Sequence, residues 1–150
     1  MSLEEDIKQE KGFKSERQKA LINIMYTEGW LRNRMSEILK PFDLTSQQYN
    51  VLRILRGSSS KPISTSCIRD RMLDKMSDAS RIVDRLYKKG LLERKTCSSD
   101  KRLVDVLITE NGLKLLSQID KPIDDMGSLS GMITEEEAQK LNEILDKLRD

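Results

Sequence analysis

Side chains that can bind phosphate groups and base edges are concentrated between residues 64 and 102 of this 150-residue sequence. Three groups can be distinguished by position: Ser64, Thr65 and Ser66; then Ser77, Asp78, Ser80, Arg81, Arg85 and Lys88; and finally Arg94, Asp100, Lys101 and Arg102. Arginine can make paired hydrogen bonds to a phosphate or to a guanine edge, and hydroxyls can bond either. This combination of residue types predicts contact with a nucleic acid.

The distribution of charge favours the same interpretation. Residues 61–102 contain twelve Lys and Arg against six Asp and Glu, a net charge of +6, whereas residues 1–60 carry +2 (ten against eight) and residues 103–150 carry −6 (five against eleven). A basic middle indicates a segment that meets a polyanion, while the arms serve another purpose. Solvated helix faces of uneven charge would explain the same numbers.

The residues that most enzymes need are scarce. The chain has no His, which is the usual general base near neutral pH and a common metal ligand, and Cys67 and Cys97 form no C-x-x-C pair. No run approaches the roughly 18 apolar residues of a membrane-spanning helix, and the charged start lacks the apolar core of a signal peptide. We therefore expect a cytoplasmic protein that is not an enzyme and uses no metal or cofactor.

Two short helices are predicted to position the first two groups. The segment "ISTSCIRDRML" predicts a helix with Ser64 or Thr65 at its N-cap, and after the brief turn "DK" the segment "MSDASRIVDRLYKKG" predicts a second helix, capped by Ser77 and closed by Gly90. This is the helix-turn-helix pattern, in which the second helix enters the major groove. Arg81 is the candidate for base contact. Helix capping and ordinary solvated charge explain the other polar residues of both helices equally well.

The third group lies on a predicted β-hairpin. The runs "LLERK" and "LVDVLIT" alternate like strands around "TCSSDKR", so the unit becomes a winged helix. A cation at the tip of such a wing can enter the minor groove, which suits Arg102, with Lys101 beside it for phosphate. Asp100 is explained if its carboxylate holds Arg102 or Arg94 in place. An ordinary Asp-containing turn is the alternative.

Amphipathic helices are predicted on both sides of this unit. They cover residues 14–40, the stretch from about residue 110 to 126 with Pro122 inside it, and the final segment, which starts with a capping box from Thr134 to Glu137. We expect a mostly α fold with a small β-hairpin wing, divided into 1–44 and 110–150 as dimerisation regions and 45–109 as the winged helix. The terminal helices would cover each other across a two-fold axis or, alternatively, fold back on the same chain.

The segment "SDASRIVDRLYKKGLLERKTCSSDKRLVDVLITENGLKLL" resembles the MarR (multiple antibiotic resistance regulator) family of bacterial transcription factors, and the likeness extends more weakly over "LTSQQYNVLRIL" and the last helix. The resemblance implies a homodimer formed by the terminal helices, recognition helices in successive major grooves and a wing arginine in the minor groove. It also implies a pocket for a small aromatic or anionic effector, for which Tyr26, Trp30 and Tyr49 are candidates. Aromatic residues at helical spacing are more often core.

These observations predict a homodimeric winged helix-turn-helix regulator, expected to be a repressor, that binds a pseudo-palindromic site in double-stranded DNA. The alternative is a winged helix used for protein interaction, or for non-specific DNA binding as an architectural module.

Overall fold

The computed structural model describes residues 2–58, 61–96, 104–127 and 131–150. The helices are α1 (Leu3–Asp6), α2 (Glu16–Leu39), α3 (Ser46–Gly57), α4 (Thr65–Arg71), α5 (Ala79–Lys88), α6 (Glu110–Gly127) and α7 (Glu135–Lys147), and the strands are β1 (Ile63–Ser64), β2 (Leu92–Thr96) and β3 (Val104–Ile108). A mostly helical chain with a small antiparallel sheet confirms the predicted fold class. None of the described helices is both long and apolar enough to cross a membrane.

The chain divides into two compact units, residues 1–46 and 47–150. In the first unit, α2 begins after the N-cap Ser15, close to the predicted start of the long helix. The short helix α1 was not predicted, because four residues are too few to show a helical period. It begins with a capping box between Ser2 and Glu5, and it is connected to α2 by the ion pair of Lys19 with Glu4 at 2.6 Å.

The second unit contains the predicted winged helix. Its buried side chains recur at helical spacing, so that each helix turns one apolar face to the core: Val51, Leu52 and Leu55 of α3, Ile68 of α4 and Met72 after it, and Ala79, Ile82, Val83 and Leu86 of α5. The sheet order is β1-β3-β2, with antiparallel pairing throughout. The hairpin of β2 and β3 was expected, whereas β1 was not, since a two-residue strand immediately before a helix has no alternation to detect.

The connection between α4 and α5 corrects two expectations. It runs from Met72 to Asp78, longer than the two-residue turn predicted, and the N-cap of α5 is Asp78 rather than Ser77. Hydrogen bonds from α3 hold this longer connection: Asn50 accepts from the Leu73 backbone at 2.9 Å, and the Gln47 amide donates to Asp74 at 3.1 Å. Such tertiary contacts are invisible in a local sequence pattern.

A tight joint connects the end of the sheet to α6. The Thr109 hydroxyl donates to the Gly90 carbonyl at 2.8 Å and accepts from the Gly112 N–H at 3.1 Å, while the Thr109 N–H donates to the Leu91 carbonyl at 3.1 Å. Gly90 itself has a φ of +71°, the left-handed conformation expected of the residue that closes α5. The joint therefore fixes where α6 leaves the winged helix.

Gly112 has no room for a side chain, because a Cβ there would lie 2.4 Å from the Leu91 carbonyl oxygen and 2.7 Å from Ile108 Cγ1. We expect Gly112→Ala to lower the free energy of unfolding by about 2 kcal/mol, a typical cost of overpacking a site that cannot relax. Urea denaturation followed by circular dichroism measures this. Gly57→Ala is the matched control, since nothing lies within 4 Å of its added Cβ, and a loss of equal size in both variants would contradict the explanation.

Candidate nucleic-acid interface

The helix α5 presents the polar face that the sequence predicted. Its aliphatic side chains are buried, while Ser80, Arg81, Arg85 and Lys88 are exposed. Contacts to phosphates and base edges require exposed cations, and this short helix carries two exposed arginines and an exposed lysine.

The beginnings of α4 and α5 meet in one cleft of about 480 Å³. It is lined by Ser64, Thr65, Ser66, Arg69, Ser77, Asp78, Ala79, Ser80 and Val104. The cleft thereby brings the whole first predicted group together with Ser77, Asp78 and Ser80 of the second, although more than ten residues separate the two groups in sequence. Arg81, Arg85 and Lys88 are not part of its lining. Hydroxyl groups, an arginine and the backbone N–H groups at the start of a helix form a suitable environment for an anion.

The hydroxyls in the cleft differ in how free they are to bind a ligand. Ser64 caps α4, accepting from the Cys67 N–H at 3.1 Å. Ser77 is only 8% exposed, and its buried Oγ has no hydrogen-bond partner among the described residues. Sequence reasoning missed Arg69, although it lies one helical turn after Thr65 and Ser66 and so shares their face.

Asp78 uses its carboxylate to cap α5, since Oδ1 accepts from the Arg81 N–H at 3.1 Å. At a DNA interface a carboxylate in this position would either accept a hydrogen bond from a cytosine amine or lie away from the phosphates. As the N-cap of α5, Asp78 has a structural role that does not involve DNA.

We expect Asp78→Ser to keep the cap, because serine is an equally good N-cap residue, and to remove a negative charge from the cleft. Thermal stability should stay nearly unchanged, and affinity for random-sequence DNA should rise about two- to five-fold, the size of a surface charge effect. Fluorescence anisotropy at fixed salt measures the affinity. A selective loss of binding to the protein's preferred site, with random DNA unaffected, would instead support the cytosine contact.

Arg94 of β2 lies against α5. Its guanidinium carbon is 4.0 Å from the ring centroid of Tyr87, and its Nη1 is 3.3 Å from Asp84 Oδ1. The other oxygen of Asp84 is 2.9 Å from the Lys88 ammonium. The hydrogen bond from Lys88 is the largest cause that holds the pKa of Asp84 below its ordinary value, and Arg94 acts in the same direction.

Asp100, Lys101 and Arg102 lie outside the residues that the structure describes. The roles given to them, a minor-groove contact for Arg102, a phosphate contact for Lys101 and a positioning carboxylate for Asp100, therefore stay predictions.

The three aromatic candidates for an effector pocket are placed differently. Tyr26 and Trp30 are partly exposed on α2, and they line a cavity of about 530 Å³ in the first unit together with Lys19 and Asn23. Tyr49 is buried in the second unit, where burial raises the pKa of its hydroxyl and Arg53 lies 5.9 Å from its ring centroid. Tyr26 and Trp30 thus share a concave surface, and Tyr49 is a core residue of its own unit.

Within the described ranges, no group of three His, Cys, Asp or Glu side chains is arranged to hold a metal ion.

Comparison with known proteins places these features in a family context. The family model described as "MarR family" matches residues 44–104. The HTH-type transcriptional repressor IacR of Pseudomonas putida is 30% identical over 120 residues, which cover 79% of this chain and 70% of the relative. The uncharacterised HTH-type transcriptional regulator YhbI of Bacillus subtilis is 33% identical over 92 residues, covering 61% of this chain but only 58% of that protein. The crystal structure of a MarR transcription factor from Planctomyces limnophilus superimposes with a TM-score of 0.69 at 31% identity, covering 90% of this chain and 98% of that one.

Proposed function

The chain belongs to the MarR family, and from this premise we propose that it represses transcription by binding a pseudo-palindromic operator in double-stranded DNA as a homodimer. It is a transcriptional regulator with a winged helix-turn-helix. Its reported relatives are regulators as well, and we propose no catalytic activity for it. A regulator of bacterial transcription works where the chromosome is, so we assign it to the cytoplasm.

The observation that carries the proposal is the cleft in which the starts of α4 and α5 meet, beside the exposed cations of α5. In our proposal Arg81 contacts a base edge, because side chains near the start of a recognition helix reach deepest into the major groove. The hydroxyls of Thr65, Ser66 and Ser80, with Arg85, hold phosphates and so fix the register. In this proposal Arg102 would enter the neighbouring minor groove, and Lys101 beside it would contact a phosphate.

Dimerisation is supported by apolar side chains that each unit leaves uncovered. Along α2 in the first unit, Leu21 is 60% and Met25 is 67% exposed, and in the second unit Leu141 and Ile144 of α7 and its C-cap residue Leu148 are exposed. Stripes of this size on long helices are normally covered by another chain, most often across a two-fold axis. A two-fold dimer presents two copies of α5 to half-sites about one helical turn apart, roughly 10 base pairs.

We further propose that a small aromatic anion relieves repression. The cavity beside Tyr26 and Trp30 supports this, because it offers aromatic surface for stacking and the Lys19 ammonium for a negative charge. Lys19 already pairs with Glu4, so an anion would have to compete with that carboxylate.

Selection of binding sites from a random pool of duplex DNA tests the proposed function without knowledge of the genome. The expected product is an inverted repeat whose half-site centres lie about 10 base pairs apart. The main competing function, an architectural or protein-interaction module, predicts a different outcome: bound DNA would show no enriched sequence, or no DNA would be retained.

A further inference from the structure

An acidic side chain stands on the helix that is proposed to approach DNA phosphates. Asp84 lies in the middle of α5, with Arg81 before it in sequence and Arg85 and Lys88 after it. A carboxylate in such a place repels phosphate groups and weakens binding by simple electrostatics. A second effect of Asp84 that favours DNA binding would be needed to offset this repulsion.

The contacts of Asp84 connect α5 to the first strand of the wing. Its carboxylate binds Lys88 on the next turn of α5 at 2.9 Å and Arg94 of β2 at 3.3 Å. The Arg94 guanidinium also lies 4.0 Å from the Tyr87 ring, so it is held both by a charge and by an aromatic face. A cation with two partners of different chemistry has far fewer accessible poses than a solvated arginine.

The register of the sheet explains why Arg94 can act as a link. Arg94 is paired with Val106 and Leu92 with Ile108, so Leu92 and Arg94 lie on the same face of β2 as two buried residues of β3. That face packs towards the core at Leu92, and the Arg94 guanidinium contacts Tyr87 and Asp84 on α5. The link thus joins the two elements that must meet DNA at the same time.

We propose that Asp84 is a positioning residue, which acts through Arg94 and Tyr87 to fix the angle between the wing and the recognition helix. Binding to a specific site needs α5 in the major groove and the wing in the adjacent groove together, so a preset angle lowers the entropy lost on binding. Non-specific binding depends on phosphate charge alone and gains nothing from the preset angle. The inference rests on the proposed function, because it concerns how that DNA-binding surface is organised.

Asp84 weakens DNA binding by repelling phosphates and strengthens operator binding by positioning the wing. Because these two effects have opposite signs, a substitution can distinguish them. In Asp84→Asn the repulsion is removed together with the strong link. We expect affinity for the selected operator to fall about ten-fold, because a freely moving wing must be ordered on binding. Affinity for random DNA should rise about two-fold, as for any lost surface carboxylate. Fluorescence anisotropy on both duplexes at one salt concentration gives the ratio.

Three further variants separate positioning from charge and from misfolding. Tyr87→Leu removes the aromatic contact without a change in charge, and it should also lower operator affinity. Asp84→Glu restores a carboxylate and should recover most of the loss. Glu93→Gln is the matched control: it removes one negative charge from an exposed position on the other face of β2, and it should slightly strengthen binding to both duplexes. Thermal unfolding confirms that each variant is folded.

If Asp84→Asn strengthens binding to operator and random DNA alike, as expected for Glu93→Gln, the inference is overturned and Asp84 is only a surface charge. If the wild-type protein binds operator and random DNA equally well, the proposed function is overturned, and the inference with it.

Discussion

Arg81→Ala is expected to lower affinity for the operator by about 5- to 150-fold, the loss of one paired contact to a base, and to leave binding to random DNA within about two-fold. Arg81 is the first exposed cation of α5, and its backbone N–H is fixed by the Asp78 cap at 3.1 Å. A side chain that starts from a fixed backbone at the beginning of a recognition helix is well placed to distinguish one base pair. Titration of the selected operator and of a scrambled duplex of the same length measures both affinities.

The matched control for Arg81 lies one turn further along the same helix. Arg85 is also exposed, and its proposed partner is a phosphate. We expect Arg85→Ala to weaken binding to both duplexes by a similar factor and to reduce the slope of log affinity against log salt by about 1. If Arg81→Ala behaves in the same way as Arg85→Ala, then Arg81 contacts the DNA backbone and the base contact is wrong.

Leu141→Glu is expected to convert the dimer to a monomer and to lower operator affinity by at least about 100-fold, because two linked half-site contacts become independent events. Leu141 belongs to an exposed apolar stripe with Ile144 of α7 and Leu148, the C-cap of that helix. A charged group within a dimer interface would be desolvated without a partner. Sedimentation velocity gives the mass, and operator titration gives the affinity of the same preparation.

The control for this variant carries the same new charge on the opposite side of α7. Gln139 is exposed and lies about 200° from Leu141 around the helix, at 100° per residue. Gln139→Glu should therefore remain dimeric and bind the operator normally. A monomeric Leu141→Glu that binds as tightly as wild type would contradict the proposed bivalent mode, and a dimeric Leu141→Glu would place the interface elsewhere.

Elements with strong periodic and capping signals could be predicted well from the sequence. The last helix was expected from Thr134 with a capping box to Glu137, and both reciprocal hydrogen bonds are present, at 3.2 and 2.7 Å. The apolar face of α5 was also correctly predicted, because four buried residues at helical spacing identify it. Short elements could not be found in this way, and neither α1 nor β1 is long enough to complete a period.

The sequence could predict which residues form the candidate site, but it could not predict the contacts between them. Exposure of Arg81, Arg85 and Lys88 follows from the face they share on α5. The choice of Asp78 over Ser77 as N-cap could not be made, since both are good capping residues one position apart. The pairing of Arg94 with Asp84 depends on how a strand packs against a helix, and local spacing carries no signal for it.

Competition binding at a single salt concentration tests the central claim most directly. Labelled DNA from the region upstream of the protein's own gene is bound, and unlabelled upstream DNA or bulk genomic DNA is then added. A sequence-specific regulator should prefer the upstream DNA by at least about a thousandfold per site. Equal displacement by both competitors would contradict the account and leave a winged helix that binds DNA without reading its sequence.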